Sequence, residues 1–170
     1  MTISFETRIR RLTTAGMIAA VYAAATLLLP IPQYGPVQFR VAECMTLLPF
    51  LFPEAIPGLV VGCFLANFIG SPFVLDWLFG TLATLIAALL TRKMPNVWLA
   101  AVPPVLCNAA IVGAEIAWFA MQDGAAFWPA YGMNALTVGL GEAAVCFLLG
   151  IPLMRTLAKI PVLKGRAAAR

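Results

Sequence analysis

Residues 97–121, VWLAAVPPVLCNAAIVGAEIAWFAM, form an apolar run in which Glu115 is the one charged side chain. A helix needs about 20 residues to cross roughly 30 Å of hydrocarbon, so this run is long enough to span a bilayer. The whole chain has the same character, because 62% of its 170 residues are hydrophobic and 11% are charged. A soluble domain carries roughly 25% charged residues. The sequence therefore predicts an all-α integral membrane protein and excludes a soluble enzyme or nucleic-acid binder.

Five further apolar runs surround this one, and together they predict a single membrane domain over residues 1–170. The six runs are approximately 12–29, 37–52, 55–70, 73–91, 97–121 and 131–152. The second and third runs are short, and Pro49, Pro53 and Pro57 interrupt them. We expect six transmembrane helices. A re-entrant hairpin over 37–70, which would leave four spans, stays open as the alternative.

Apart from Arg40, lysine and arginine occur in three clusters, each next to an apolar run. The clusters are Arg8, Arg10 and Arg11; Arg92 and Lys93; and Arg155, Lys159, Lys164, Arg166 and Arg170. Such clusters mark cytoplasmic ends of spans. Because an even number of runs separates each pair of clusters, six spans place all three on one side. We therefore expect a multi-pass protein of the cell membrane with both termini cytoplasmic, embedded in lipid and binding no nucleic acid.

The sequence lacks the residues that zinc sites, disulfide frameworks and ATP hydrolysis need. Histidine is absent, and the four cysteines form no C-x-x-C pair, so the sequence supports neither a zinc site nor a disulfide framework. There is no G-x-x-x-x-G-K-[ST] motif, so ATP hydrolysis is not expected in this chain. We expect no catalytic residue, no metal and no cofactor, and the protein is not expected to be an enzyme.

Polar side chains lie inside the last two runs, where a charged group costs about 2.5–3.5 kcal/mol on insertion scales. Asn108 and Glu115 are seven residues apart in the fifth run, and we expect them to share a helix face with Trp118. Asn134 and Glu142 are eight residues apart in the sixth. These residues predict a ligand pocket that opens to the outside. A buried hydrogen-bond network between the two helices is the alternative.

Further binding candidates lie near the outer ends of the second and fourth runs. Arg40 and Glu43 could bind a ligand or pair with each other, and by depth Arg40 is expected to be a poor partner for Glu142. Asp76 could bind a ligand or interact with the helix dipole. The other two candidates are Tyr34 and Trp77, which could stack on a flat ligand or belong to the aromatic belt of the membrane interface.

Small residues recur at four-residue spacing in the first and third runs. The residues are Ala15, Ala19 and Ala23, with Gly16, Ala20 and Ala24 beside them, and Gly58, Gly62, Ala66 and Gly70. Small residues allow helices to approach closely in lipid. We interpret the Ala15–Ala19–Ala23 ridge as a docking face for a partner, with packing inside the chain as the alternative. For the second ridge we expect packing inside the chain.

The stretch over 34–91 resembles the QueT family. The resemblance rests on YGPVQFRVAE at 34–43, LPF at 48–50, PEAIPG at 53–58 and GTLATLIAALLT at 80–91. QueT-like proteins are substrate-binding S components of energy-coupling-factor (ECF) transporters, a subclass of ABC importers. The resemblance implies a six-helix S-component-like bundle that docks through the first-helix small residues. It also implies a membrane coupling protein and two cytoplasmic ATPases as partners.

The resemblance further implies a queuosine precursor as substrate, such as queuine or its aminomethyl or cyano precursors. One carboxylate can accept the ring N–H and exocyclic amine of such a deazaguanine base, and paired bonds of this kind give about 1–3 kcal/mol of discrimination. We expect Glu142 and Glu115 to bind the base edge and an aminomethyl cation, in either order, and Asn108 or Asn134 to bind the carbonyl. An S component or facilitator for another vitamin-like molecule, or a small self-associating membrane protein, remains the alternative.

Overall fold

The computed structural model describes residues 5–160, and over this range the chain is helical with short connections and no strand. We number six helical segments in chain order. They are α1 Phe5–Leu28, α2 Val41–Phe50, α3 Ala55–Gly70, α4 Val74–Thr91, α5 Val97–Gln122 and α6 Phe127–Leu157. The predicted all-α membrane fold is confirmed. The basic residues Lys164, Arg166 and Arg170 lie outside the described range.

Four of the described helices, α1, α4, α5 and α6, are long and apolar enough to cross a membrane. The other two are shorter, because α2 is a 3₁₀ helix of 10 residues and α3 has 16 residues. The turn between them nonetheless reaches the level of Arg11 in α1, since Arg11 and Glu54 form an ion pair at 3.1 Å. Helix α3 therefore runs between the two ends of the bundle, since Gly70 at its other end lies against Leu27 of α1, and α2 runs from the interior to the Arg11 end. This arrangement favours six crossings over a re-entrant hairpin.

Helices α1 and α3 approach closely through small residues. A Cβ atom on Gly58 would lie 2.6 Å from the Ala15 carbonyl oxygen, and one on Gly62 would lie 2.8 Å from that of Ala19. Ala15 and Ala19 are buried, and Ala23 is half-buried. The small residues of α1 that remain exposed are Gly16, Ala20 and Ala24. The ridge of Ala15 and Ala19 is thus packed inside the chain, and its docking role stays a prediction.

Helices α5 and α6 each contain a π-helical segment near polar candidates. In α5 the π segment is Asn108–Val112, and in α6 it is Val145–Gly150, just after Glu142. Segments of this kind are frequent at functional sites, because the extra residue redirects the side chains around it. The break in α5 at Ala101 precedes a Pro–Pro pair, as expected for residues that cannot continue the hydrogen-bond ladder.

Candidate binding site

The loop of residues 29–40 packs against α6, which contacts two backbone carbonyl oxygens of the loop. The Thr137 hydroxyl donates a hydrogen bond to the carbonyl oxygen of Pro36 at 2.6 Å. One turn further along α6, the Gln38 carbonyl oxygen lies directly against Gly141, where a Cβ atom would collide with it. The end of this loop is therefore fixed beside the middle of α6.

This packing brings Arg40 into the interior of the bundle. Its side chain is buried, its Nε donates to the Gln33 carbonyl oxygen at 2.9 Å, and its guanidinium lies over the Tyr34 ring, 4.9 Å from the centroid. The Tyr34 hydroxyl in turn donates to the carbonyl oxygen of Ala66 at 2.8 Å. Burial raises the pKa of that hydroxyl, so it remains a neutral donor. Arg40 is thus held in one orientation from two sides.

Four buried carboxyl groups have Arg40 as a common electrostatic neighbour. They are Glu43, Asp76, Glu115 and Glu142. Within residues 5–160, Arg40 is the one buried lysine or arginine. The site therefore contains four carboxyl groups and a single guanidinium, and it lies toward the end of the bundle where α5 ends and α4 and α6 begin.

Glu43 and Glu142 form the first pair of neighbouring carboxyl groups. The Tyr22 hydroxyl donates to Glu43 Oε1 at 2.5 Å, whereas Glu43 Oε2 has no hydrogen-bond partner. Glu142 Oε1 accepts a weak bond from the Cys146 thiol at 3.5 Å and lies beside the Asn108 side chain. The chain's own donors thus satisfy this pair only in part.

Asp76 and Glu115 form the second pair. Asp76 accepts a hydrogen bond from the Ser71 hydroxyl, and its carbonyl oxygen accepts one from Asn67 Nδ2 at 3.0 Å. Glu115 is 5% exposed, and its carboxyl oxygens accept no hydrogen bond from an amide, hydroxyl or guanidinium donor of the described residues, whereas the Asp76 carboxyl group lies within hydrogen-bonding range. Buried polar atoms in proteins are nearly always paired, so an unpaired carboxyl group requires an explanation.

Seven of the ten predicted binding residues thus belong to one cluster. They are Arg40, Glu43, Asp76, Glu115, Glu142, Asn108 and Tyr34. No ion pair joins Arg40 and Glu142 in the described residues, as expected, although the 29–40 loop folds inward along α6 and brings the guanidinium within electrostatic range of Glu142. Whether these residues bind a ligand stays a prediction.

The other three candidates have different surroundings. Trp118 is 50% exposed, because a step of three residues leaves it about 60° away from Glu115 around the helix axis. Trp77 packs against Phe68 at 4.7 Å between ring centroids. Asn134 is buried, and its amide donates to the Ala130 carbonyl oxygen at 2.8 Å, within α6. Their binding roles also remain predictions.

Two residues of the cluster escaped the sequence analysis. Tyr22 follows Ala15 and Ala19 at helical spacing. A tyrosine hydroxyl on the same helix face as the small-residue ridge is the sequence feature that could have identified it. Asn67 is a buried amide in an apolar run, and its Oδ1 has no hydrogen-bond partner. A Cβ atom on Gly80 would lie 2.7 Å from Asn67 Nδ2, so glycine leaves room for this amide beside α4.

Comparisons with known proteins agree with the resemblance found in residues 34–91. The family model described as QueT transporter matches residues 12–159. A curated relative, the Queuosine precursor transporter QueT of Lactococcus lactis subsp. cremoris (strain MG1363), is 35% identical over 75 residues. That alignment spans 43% of this chain and 44% of the relative. No solved structure matches. Because the family model covers most of its length, the chain belongs to the QueT transporter family.

Proposed function

We propose that this chain is the substrate-binding membrane subunit of an ECF-type importer for a queuosine precursor. The observation that carries the proposal is the buried cluster of four carboxyl groups around one guanidinium, in which several oxygens have no donor. A family of transporters and a relative named for queuosine precursors support the same substrate class. ATP hydrolysis is assigned to two cytoplasmic partner subunits, which act through a membrane coupling protein.

The hydrogen-bonding groups of the proposed substrate match the polar side-chain atoms of the cluster that have no hydrogen-bond partner. A 7-deazaguanine base presents a ring N–H and an exocyclic amine on one edge, and Glu43 and Glu142 together offer acceptors for both. The neighbouring carbonyl of the base needs donors. Arg40 Nη2 has no hydrogen-bond partner, and Asn108 lies beside Glu142. Bonds to charged groups are shorter and stronger than neutral ones, so this edge supplies both affinity and orientation.

The orientation of the bundle decides from which side the substrate enters. We propose that both termini are cytoplasmic, so that the carboxylate cluster opens to the outside through the end that carries the 29–40 loop. The support is the distribution of the basic clusters.

Cysteine labelling tests this orientation. Asn96 lies between α4 and α5, and Gly124 lies between α5 and α6, at opposite ends of the bundle. We expect an impermeant thiol reagent added to intact cells to label Gly124→Cys but not Asn96→Cys. The background should lack the native cysteines, because Cys44 and Cys107 are partly exposed. Labelling of both sites from the same side would contradict the orientation.

The small-residue face of α1, predicted from Ala15, Ala19 and Ala23, is proposed to couple to the partner subunits through the stripe of Gly16, Ala20 and Ala24 that remains exposed beside it. Ala20→Trp places a large side chain on this stripe, at a position that is exposed among the described residues. We expect uptake by the full complex to fall to background while substrate affinity changes by no more than about twofold, as for other surface substitutions.

Ala19→Trp is the matched comparison, because Ala19 is buried against Gly62. Overpacking there costs about 1–3 kcal/mol of stability. We therefore expect Ala19→Trp to lower the thermal stability of the isolated chain, and Ala20→Trp to leave it intact. Normal uptake by the Ala20→Trp complex would remove the docking role of this stripe.

Native mass spectrometry of the detergent-extracted chain tests the proposed substrate class. We expect a retained small molecule with the mass of a deazaguanine base, and co-purification with ATPase subunits when the partners are expressed together. A retained molecule of another mass would indicate a different vitamin-like substrate. A stable homodimer without ligand or ATPases would favour a self-associating membrane protein instead.

A further inference from the structure

The carboxyl pair of Asp76 and Glu115 has more acceptor capacity than the chain uses. Glu115 is more than nine-tenths buried, and neither of its carboxyl oxygens accepts a hydrogen bond from an amide, hydroxyl or guanidinium donor of the described residues, although the Asp76 carboxyl group lies within hydrogen-bonding range. Asp76 lies beside it and is also buried. Two like charges repel strongly at short range in a low-dielectric interior unless a cation or a proton lies between them. As two ionised carboxylates, the pair therefore needs a positive charge beside it.

Arg40, the one buried cation among residues 5–160, is not dedicated to the pair of Asp76 and Glu115. Arg40 is a neighbour of this pair, but it is shared with Glu43 and Glu142. Four carboxyl groups therefore face one guanidinium, and no other lysine or arginine within residues 5–160 is buried. The missing positive charge can come from a proton shared by the two carboxyl groups or, when a substrate is present, from a bound cation that replaces this proton.

The chemistry of the pair favours an organic cation over a metal ion. In the described part of the chain, no group of three or more histidine, cysteine, aspartate or glutamate side chains could hold a metal ion. A primary ammonium carries three N–H donors and no acceptor, so it can donate to both carboxyl groups at once. Such charge-assisted bonds are roughly twice as strong as neutral ones.

We propose that Asp76 and Glu115 form a subsite for a protonated primary amine on the side arm of the substrate. This inference rests on the proposed function, because the arm belongs to a base whose edge Glu43 and Glu142 bind. It also assigns the two roles that the sequence left open, with Glu142 on the base edge and Glu115 on the cation. A deazaguanine with an aminomethyl arm is preferred over one with a cyano arm, which is neutral and has no donor there.

Calorimetric titration of 7-aminomethyl- and 7-cyano-7-deazaguanine into the purified chain tests the subsite. In the wild type we expect the aminomethyl base to bind at least about tenfold more tightly. Glu115→Gln should lower the affinity for the aminomethyl base by about ten- to a hundredfold, so that the ratio of the two affinities falls toward one. Glu54→Gln is the matched control, since Glu54 pairs with Arg11 at the opposite end of the bundle, and it should keep the wild-type ratio.

The possible failures have separate meanings. If neither base binds the wild type, the proposed function fails and the subsite fails with it. If both bases bind the wild type equally, or if Glu115→Gln weakens both by the same factor, the subsite is overturned while the proposed function stands. Should Glu115→Gln melt well below the wild type, Asp76→Asn provides the same test from the other half of the pair, and an unchanged ratio in that variant also overturns the subsite.

Discussion

Replacing Arg40 with methionine is expected to lower the free energy of unfolding by about 3–5 kcal/mol, because the substitution leaves buried carboxyl groups without their cation. Arg40 is 5% exposed, and its guanidinium is the common neighbour of the four carboxyl groups. Methionine has a similar length but carries neither the charge nor the Nε donor that binds the Gln33 carbonyl oxygen. Chemical unfolding in detergent micelles measures the change.

Arg11→Met is the matched control for this substitution. Arg11 forms an ion pair with Glu54, and its side chain is 49% exposed while that of Glu54 is 11% exposed. Because water reaches this end of the pair, we expect the variant to lose clearly less stability than Arg40→Met. Lysine at position 40 keeps the charge but lacks the planar fork of donors, and we expect intermediate stability for it. Equal stabilities for Arg40→Met and Arg11→Met would mean that the carboxyl groups do not depend on Arg40.

Glu142→Gln is expected to weaken binding of a deazaguanine base by about ten- to a hundredfold. The side chain keeps its size, but an NH₂ group replaces one acceptor and then faces the N–H groups of the base. Leaving a buried donor unpaired costs about 1–3 kcal/mol, which corresponds to this loss of affinity. Titration of the aminomethyl base into both proteins measures it.

The same substitution should leave fold stability almost unchanged. A neutral amide is easier to bury than a carboxylate, and Glu43 beside it loses a like-charged neighbour. Melting temperatures of Glu142→Gln and of the Glu54→Gln control should therefore both lie close to that of the wild type. A large loss of stability, or wild-type affinity for the base, would assign Glu142 a structural role and exclude it from the substrate site.

The helices were predictable from the sequence because hydrocarbon thickness sets the length of an apolar run. The runs at 73–91 and 97–121 differ from α4 and α5 by one residue at most at each end. The boundaries of α1 and α6 were less predictable. Helix α1 is already formed at Phe5, the first residue that the structure describes, and not only from about residue 12, since Arg8, Arg10 and Arg11 extend the helix beyond its apolar part.

The cluster was only partly predictable, because part of it depends on one tertiary contact. Glu115 and Glu142 stand out in sequence as charges at membrane depth. The position of Arg40 depends on an irregular loop whose register is fixed where Gln38 meets Gly141. Hydrophobic periodicity carries no information on such a contact, since the loop has no repeating pattern.

Calorimetric titration of the wild-type chain, purified without partner subunits, tests most directly whether the carboxylate cluster is a substrate site. We expect saturable one-to-one binding of 7-aminomethyl-7-deazaguanine. Adenine should bind at least about tenfold more weakly, because it presents a ring acceptor where the deazaguanine presents a ring N–H. No saturable binding of any deazaguanine base, or equal binding of adenine, would contradict a deazaguanine site in this cluster.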